Sequence, residues 1–158
     1  MLSETRDSKT APGNGWLDLE QAALVEVSSE AEGYPIEGAL LNGGLRGWRA
    51  SAPGMQTIRV LFDHPQTIRV IRLVFKEEES ARTQEFVLRW LSDGSRSWKD
   101  IVRQQWNFSP PNTVDECEEY SFELPSAAAL ELSINPDISR GGTRASLERL
   151  QVSVRPPE

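Results

Sequence analysis

Residues 57–75 read TIRVLFDHPQTIRVIRLVF, and the order of polar and apolar side chains along them decides the fold class. From Thr57 to Phe62 polar and apolar residues alternate, the period of two that a strand shows when one face is buried. Ile68 to Phe75 is rich in β-branched residues, which fit a pleated, half-buried surface. Asp63-His64-Pro65-Gln66 between them has the composition of a tight connection, so the two strands are expected to form a hairpin or to lie close to one.

The same grammar extends in both directions. Upstream, Leu24-Val25-Glu26-Val27 is a short strand, and residues 36–51 (IEGALLNGGLRGWRAS) are too broken by glycine for a helix or a long strand. Downstream, Glu85 to Leu91 (EFVLRWL) is a strand closed by the turn Ser92-Asp93-Gly94-Ser95. Trp98 to Phe108 begins as a strand and gives way to Ser109-Pro110-Pro111-Asn112. Tyr120 to Leu124 and Leu130 to Ile134 alternate on either side of Pro125, and Leu147 to Val154 closes the chain. About eight short strands with no helical period predict an all-β, antiparallel β-sandwich or jelly roll. The absence of internal repeats argues against a propeller or solenoid.

The 158 residues, 38% hydrophobic and 26% charged, suit one domain with a substantial core. Residues 1–21 read as a disordered or loosely packed lead-in and residues 22–155 as the folded domain. A net charge of −7 without a run of Lys or Arg argues against nucleic-acid binding, which depends on clustered cations. No apolar run approaches the ~18 residues of a membrane span, so no membrane insertion is expected. The N-terminus lacks the basic and apolar regions of a secretory signal, so if Met1 is the natural start a cytoplasmic location is expected. Cys117 is the single cysteine, which excludes an intrachain disulfide. Its neighbours Glu116 and Glu118 disfavour the thiolate and make it a poor nucleophile.

Four segments, in order, carry a family resemblance. VEVSSEAEGYPIEGALLNGGLRGWRAS (25–51), IRVLFDHPQTIRVIRLVF (58–75), EFVLRWLSDGSRSWKDI (85–101) and SLERLQVSV (146–154) resemble successive segments of discoidin domains, also called coagulation factor V/VIII type C domains. The third is similar to that family's F-x-V-x-x-S-x-D-G-x-x-W signature. The likeness covers roughly residues 22–154 and is similar for family 32 carbohydrate-binding modules. It implies an eight-stranded, galactose-binding-like jelly roll that displays ligand-binding loops at one end, for sugars, phospholipid head groups or proteins.

Many carbohydrate-binding members of that family hold a structural calcium near the glycine-rich turn and the last strand. Here Asn42 stands where an Asp is usual, Arg46 where a Thr is usual, and Arg149 where a Glu is common, with Glu148 one residue away. Calcium needs six to eight oxygen ligands, commonly carboxylates, so the expectation is no metal. Arg46 is expected to supply the positive charge instead, by bonding loop carbonyls. No other cofactor is implied.

If successive strands are antiparallel, connections alternate between the two ends of the sandwich. The loops 28–36, 76–84, 104–116 and 135–145 then share one end, and the short turns 63–67, 92–97 and 125–128 the other. Binding residues concentrate on loops held by a rigid scaffold, which makes Tyr34, Arg82, Arg103, Trp106, Asn107, Asp137 and Arg140 the candidate ligand contacts. RQQWNF (103–108) joins an aromatic face to planar hydrogen-bonding groups, the mixture saccharide recognition requires. Structural alternatives stand beside these. Trp106 is as readily a strand residue packed inward, and Arg82 and Arg103 are as readily paired with Glu77–Glu79 or Asp137 to staple the loops.

Catalytic residues are not expected. His64, the sole histidine, falls in a predicted turn at the end away from the long loops; no nucleophile elbow, HExxH or phosphate-binding glycine loop occurs. The function expected is non-catalytic recognition of a carbohydrate or carbohydrate-like ligand. A cytoplasmic protein–protein interaction module using the same loop face is the alternative. The sequence sets no oligomeric state.

Overall fold

The computed structural model of the chain describes residues 15–40 and 46–155. In chain order the elements are helix α1 (Leu19–Ala22), β1 (Ala23–Val27), helix α2 (Glu37–Leu40), β2 (Trp48–Pro53), β3 (Gln56–Lys76), β4 (Arg82–Ser92), β5 (Lys99–Phe108), β6 (Asp115–Asn135), β7 (Arg144–Leu147) and β8 (Arg149–Ser153). All pairings are antiparallel: β1-β3-β6-β4-β5 run side by side, β8 adds to β3, and β2 pairs β7. This is the predicted all-β jelly roll. No helix among the described residues is long and apolar enough to cross a membrane.

The expected hairpin at 63–67 is not one. In a hairpin Leu61 would face Ile68; instead both halves of β3 pair with β6, Leu61 with Ala129 and Ile68 with Leu124. The unmatched residues between Leu61 and Gln66 are absorbed as a register shift, the kind of irregularity that bends a strand without reversing it. The turn expected at 125–128 is the same bend seen from β6, where Ser126 takes a left-handed φ of 50°. Strands β3 and β6 are therefore a single long ribbon of 21 residues each.

Folding that ribbon in half creates the sandwich. One layer holds β1, residues 56–62, residues 127–135, β4 and β5; the other holds residues 68–76, residues 115–124 and β8. Phe75 of one layer stacks on Phe86 of the other, with ring centroids 5.3 Å apart. Around that pair Ile58, Ile71, Leu73, Leu88, Leu130, Ile134 and Val152 are buried, each worth about 1.5–3 kcal/mol against exposure to water.

The core also starts earlier than the boundary at residue 22. Leu17 and Leu19 are buried, and Leu17 N–H donates to Val152 O at 2.7 Å, so residues 15–21 belong to the domain; residues 1–14 lie outside those described. The short helices α1 and α2 were also not anticipated. Each has only four residues, fewer than two turns, which leaves no period to detect.

Three of the four long connections share a pole, because the ribbon bends back rather than because hairpins alternate. Glu77 N–H donates to Val114 O at 2.8 Å and Ile138 N–H to Thr83 O at 2.9 Å, tying connections 77–81, 109–114 and 136–143 together. At the opposite pole Asp93 N–H donates to Ser126 O at 2.7 Å.

Candidate functional site

The loop expected over 104–116 is largely strand. Residues 103–108 complete β5, paired with β4 from Arg82↔Phe108 to Val87↔Arg103, and only 109–114 loops out. Strand alternation then sends neighbouring side chains to opposite faces. Trp106 and Phe108 turn inward, while Arg103, Gln105 and Asn107 are exposed outside.

Asn107 stands where β5 meets the pole. It belongs to two shallow depressions, one of about 410 Å³ with Gln105, Trp106 and Thr113, the other of about 460 Å³ with Thr83, Ser109, Asp137 and Ser139 above a floor of Arg82 and Phe108. Its Oδ1 accepts from Thr83 Oγ1 at 2.6 Å, and the side chain is exposed. Trp106 is half-buried against the core, and its Nε1 is buried with no hydrogen-bond partner among the described residues. Asp137 is oriented by Ser139 N–H, which donates to Oδ1 at 2.9 Å, and Gly141 passes over the same carboxylate, where a Cβ would lie 2.5 Å from Oδ2.

Arg82 holds this pole from beneath. Its side chain is fully buried. Nε donates to Glu77 Oε1 at 2.7 Å, Nη1 to Pro136 O at 2.7 Å and to Gln84 Oε1 at 3.3 Å, and the guanidinium lies 4.8 Å from the Phe108 ring centroid. It is a staple between connections rather than a group presented to solvent. Burial alone would raise the pKa of Glu77, but the Arg82 bond and the Glu79 and Ser80 amides outweigh it and hold the carboxyl below its ordinary value.

The staple continues inward through Gln84, whose Nε2 donates to Glu116 Oε1 at 3.1 Å across the layers. Glu116 is buried, and burial together with neighbouring Glu118 pushes its pKa up to about 8. Burial and the same two carboxyls also raise Tyr120. The sequence reading missed this inner row. Glu116, Glu118 and Tyr120 follow a strand period of two, but placing them inside requires the opposing layer.

The other candidates separate. Arg103 lies on the outer face of β5 away from the pole, its Nη1 donating to Glu85 Oε1 at 2.9 Å. Arg140 is exposed on the 136–143 connection beside Asp137, whose carbonyl accepts from its N–H at 3.0 Å. Tyr34 lies against β2: its carbonyl accepts from Arg49 N–H at 3.3 Å, and its hydroxyl accepts from Arg46 Nη1 at 3.2 Å. Arg46 was expected to serve loop carbonyls, and its described bond is to Tyr34 instead; residues 41–45, including Asn42, lie outside those described. Among the described residues no three His, Cys, Asp or Glu side chains converge as metal ligands. Cys117 faces outward, with Arg72 Nη2 3.7 Å from its sulfur, and His64 is exposed on the bend at the opposite pole.

No family model matches the chain and no curated protein matches it, whereas solved structures do. The family 32 module of C. perfringens NanJ in complex with galactose superposes with TM-score 0.60 at 16% identity, over 87% of this chain and 97% of that one. The family 32 module of AlyQ in complex with 4,5-unsaturated mannuronic acid gives 0.59 at 19% identity, over 83% and 94%. Reduced XRCC1 bound to the DNA pol beta catalytic domain gives 0.59 at 12%, over 85% and 96%. By fold, the chain is a discoidin-like jelly roll of the kind family 32 carbohydrate-binding modules adopt.

Proposed function

We propose that the chain is a non-catalytic saccharide-binding module whose ligand occupies the two depressions that meet at Asn107. The observation that carries this reading is the composition of those depressions. One strand end and two connections bring an indole edge, an amide, hydroxyls and an oriented carboxylate around a shallow, open hollow. Saccharides present flat C–H faces and adjacent hydroxyl pairs, which match apolar walls with a few placed polar groups. The fold shared with saccharide-bound modules supports the reading without carrying it, since one fold serves many functions.

A docking face for a protein would be a broad exposed apolar patch. Among the described residues the exposed large hydrophobics are Leu24, Met55 and Ile138, from three separate segments, and this favours the small ligand. A glycan array followed by isothermal titration calorimetry tests it. Asn107→Ala is expected to weaken a bound saccharide by roughly 5- to 30-fold, as loss of one or two hydrogen bonds does, without moving the thermal midpoint. Absence of binding to any arrayed saccharide refutes the reading, as does an affinity that Asn107→Ala leaves unchanged.

A further inference from the structure

Six of the described arginines are neutralised by carboxylates. Arg59 pairs with Glu131, Arg69 with Glu123, Arg72 with Glu119, Arg82 with Glu77, Arg89 with Asp100 and Arg103 with Glu85. The chain carries 24 acidic against 17 basic residues, so acids are plentiful. Arg46 and Arg49 are not among these six: among the described residues neither has a carboxylate within ion-pair distance.

These two cations are nevertheless brought together and held. Both guanidinium groups lie over the ring of Tyr34, at 5.2 and 4.9 Å from its centroid. They are therefore at most about 10 Å apart, within one screening length at roughly 0.1 M salt. The backbone beneath them is stiffened at several points. Arg49 N–H donates to Tyr34 O, Ala31 N–H donates to Arg49 O at 2.8 Å, and Trp48 Nε1 donates to Ser29 O at 2.9 Å.

Two glycines make the fit close. A Cβ at Gly38 would collide with Arg46 O, and one at Gly47 would collide with Leu147 O and lie 2.7 Å from Glu148 Cα. Arg144 is exposed on the same outward face of the β2–β7 pair, where β2 and β7 alternate buried and exposed together. Like charges gathered in a rigid frame without a counter-charge repel one another, and an anion relieves that cost. Guanidinium groups are the side chains suited to bidentate capture of carboxylate or sulfate.

We propose that Arg46 and Arg49, presented on Tyr34, form a clamp for an oxyanion, the carboxylate or sulfate of an acidic saccharide. The saccharide part rests on the reading above; the oxyanion part does not. Titration calorimetry on the purified chain compares α-1,4-linked trigalacturonate with α-1,4-linked galactotriose, the same backbone without carboxylates. Trigalacturonate is expected to bind roughly tenfold tighter or more, as a charge-assisted bond provides. That preference is expected to shrink as salt rises from about 50 to 200 mM.

Arg46→Gln and Arg49→Gln each reduce the preference and together abolish it, while galactotriose binding stays as it was. Arg49→Lys, which keeps the charge without the planar fork, falls between. A preference for the acid that survives the double substitution overturns the clamp, as does equal binding of the two saccharides by the unaltered chain. If neither saccharide binds, the saccharide reading fails, and inorganic sulfate becomes the probe. Amide NMR shifts at Tyr34 and Arg49 that vanish in the double variant retain the oxyanion clamp, and absence of such shifts in the unaltered chain overturns it. Unchanged thermal midpoints confirm that the exposed-site variants fold.

Discussion

Replacing Arg82 by Met tests whether one buried cation holds the long-loop pole together. Methionine keeps an unbranched body against Phe108 and removes every charged contact. Deleting one member of a buried ion pair costs about 3–5 kcal/mol, because the partner is left uncompensated. The Glu77 side chain is 15% exposed and retains the Glu79 and Ser80 amides, which moves the expectation to the lower end, about 3 kcal/mol. Pro136 O loses its 2.7 Å donor, adding about 1 kcal/mol. The total, about 4 kcal/mol, is a large share of the roughly 5–15 kcal/mol that stabilises a domain.

Urea unfolding should show a lower midpoint with an unchanged slope, and hydrogen exchange should speed up at the amides of Glu79, Ser80 and Ile138. Adding Glu77→Gln to Arg82→Met should recover part of the loss, since no carboxylate is then stranded. The sign of the pH dependence follows from Glu77. Its folded pKa is lowered from 4.5, so its stabilisation is present above 4.5 and is lost as pH falls through the folded value; Arg82→Met should flatten that acid limb. A loss under about 1 kcal/mol, the worth of a single ordinary hydrogen bond, with exchange at the three amides unaltered, would refute the staple.

Two further outcomes are expected. Glu116 titrates near 8 in the folded chain, above its unfolded value, so it contributes stability at low pH that is lost progressively as pH rises from 4.5 through about 8. Glu116→Gln keeps the acceptor for Gln84 and should stabilise the chain at pH 9 while changing little at pH 4, measured as urea midpoints at the two pH values; an equal shift at both would contradict the assignment. Gly47→Ala places a methyl against backbone atoms of β7 and Glu148, which cannot swing aside, and should cost about 1–3 kcal/mol by overpacking, read from thermal unfolding. A neutral substitution there would mean that β2 and β7 are less closely apposed than described.

Much of the architecture was legible in residue order. Alternation in 57–62, 120–124 and 130–134 marked strands because one face of each is buried, and Ser92-Asp93-Gly94 marked a reversal because its residues tolerate turn geometry. Local preferences of this kind act between near neighbours. Whether Asp63-His64-Pro65-Gln66 reverses the chain or only bends it depends on what lies across from Leu61 and Ile68. That partner is β6, more than 50 residues away in sequence. A polar, proline-bearing interruption reads the same in either case.

The candidate site divides along the same line. That Trp106, Asn107 and Asp137 would meet near one pole followed from loops too long and too polar to be turns. That Arg82 is sealed inside, Arg103 faces away with Glu85, and Tyr34 joins Arg46 and Arg49 instead was decided by the tertiary structure alone. Strand parity is two, so a one-residue change in where β5 begins exchanges every inward and outward side chain. Only pairing with β4 sets that register, and only the folded ribbon brings the opposing layer against it.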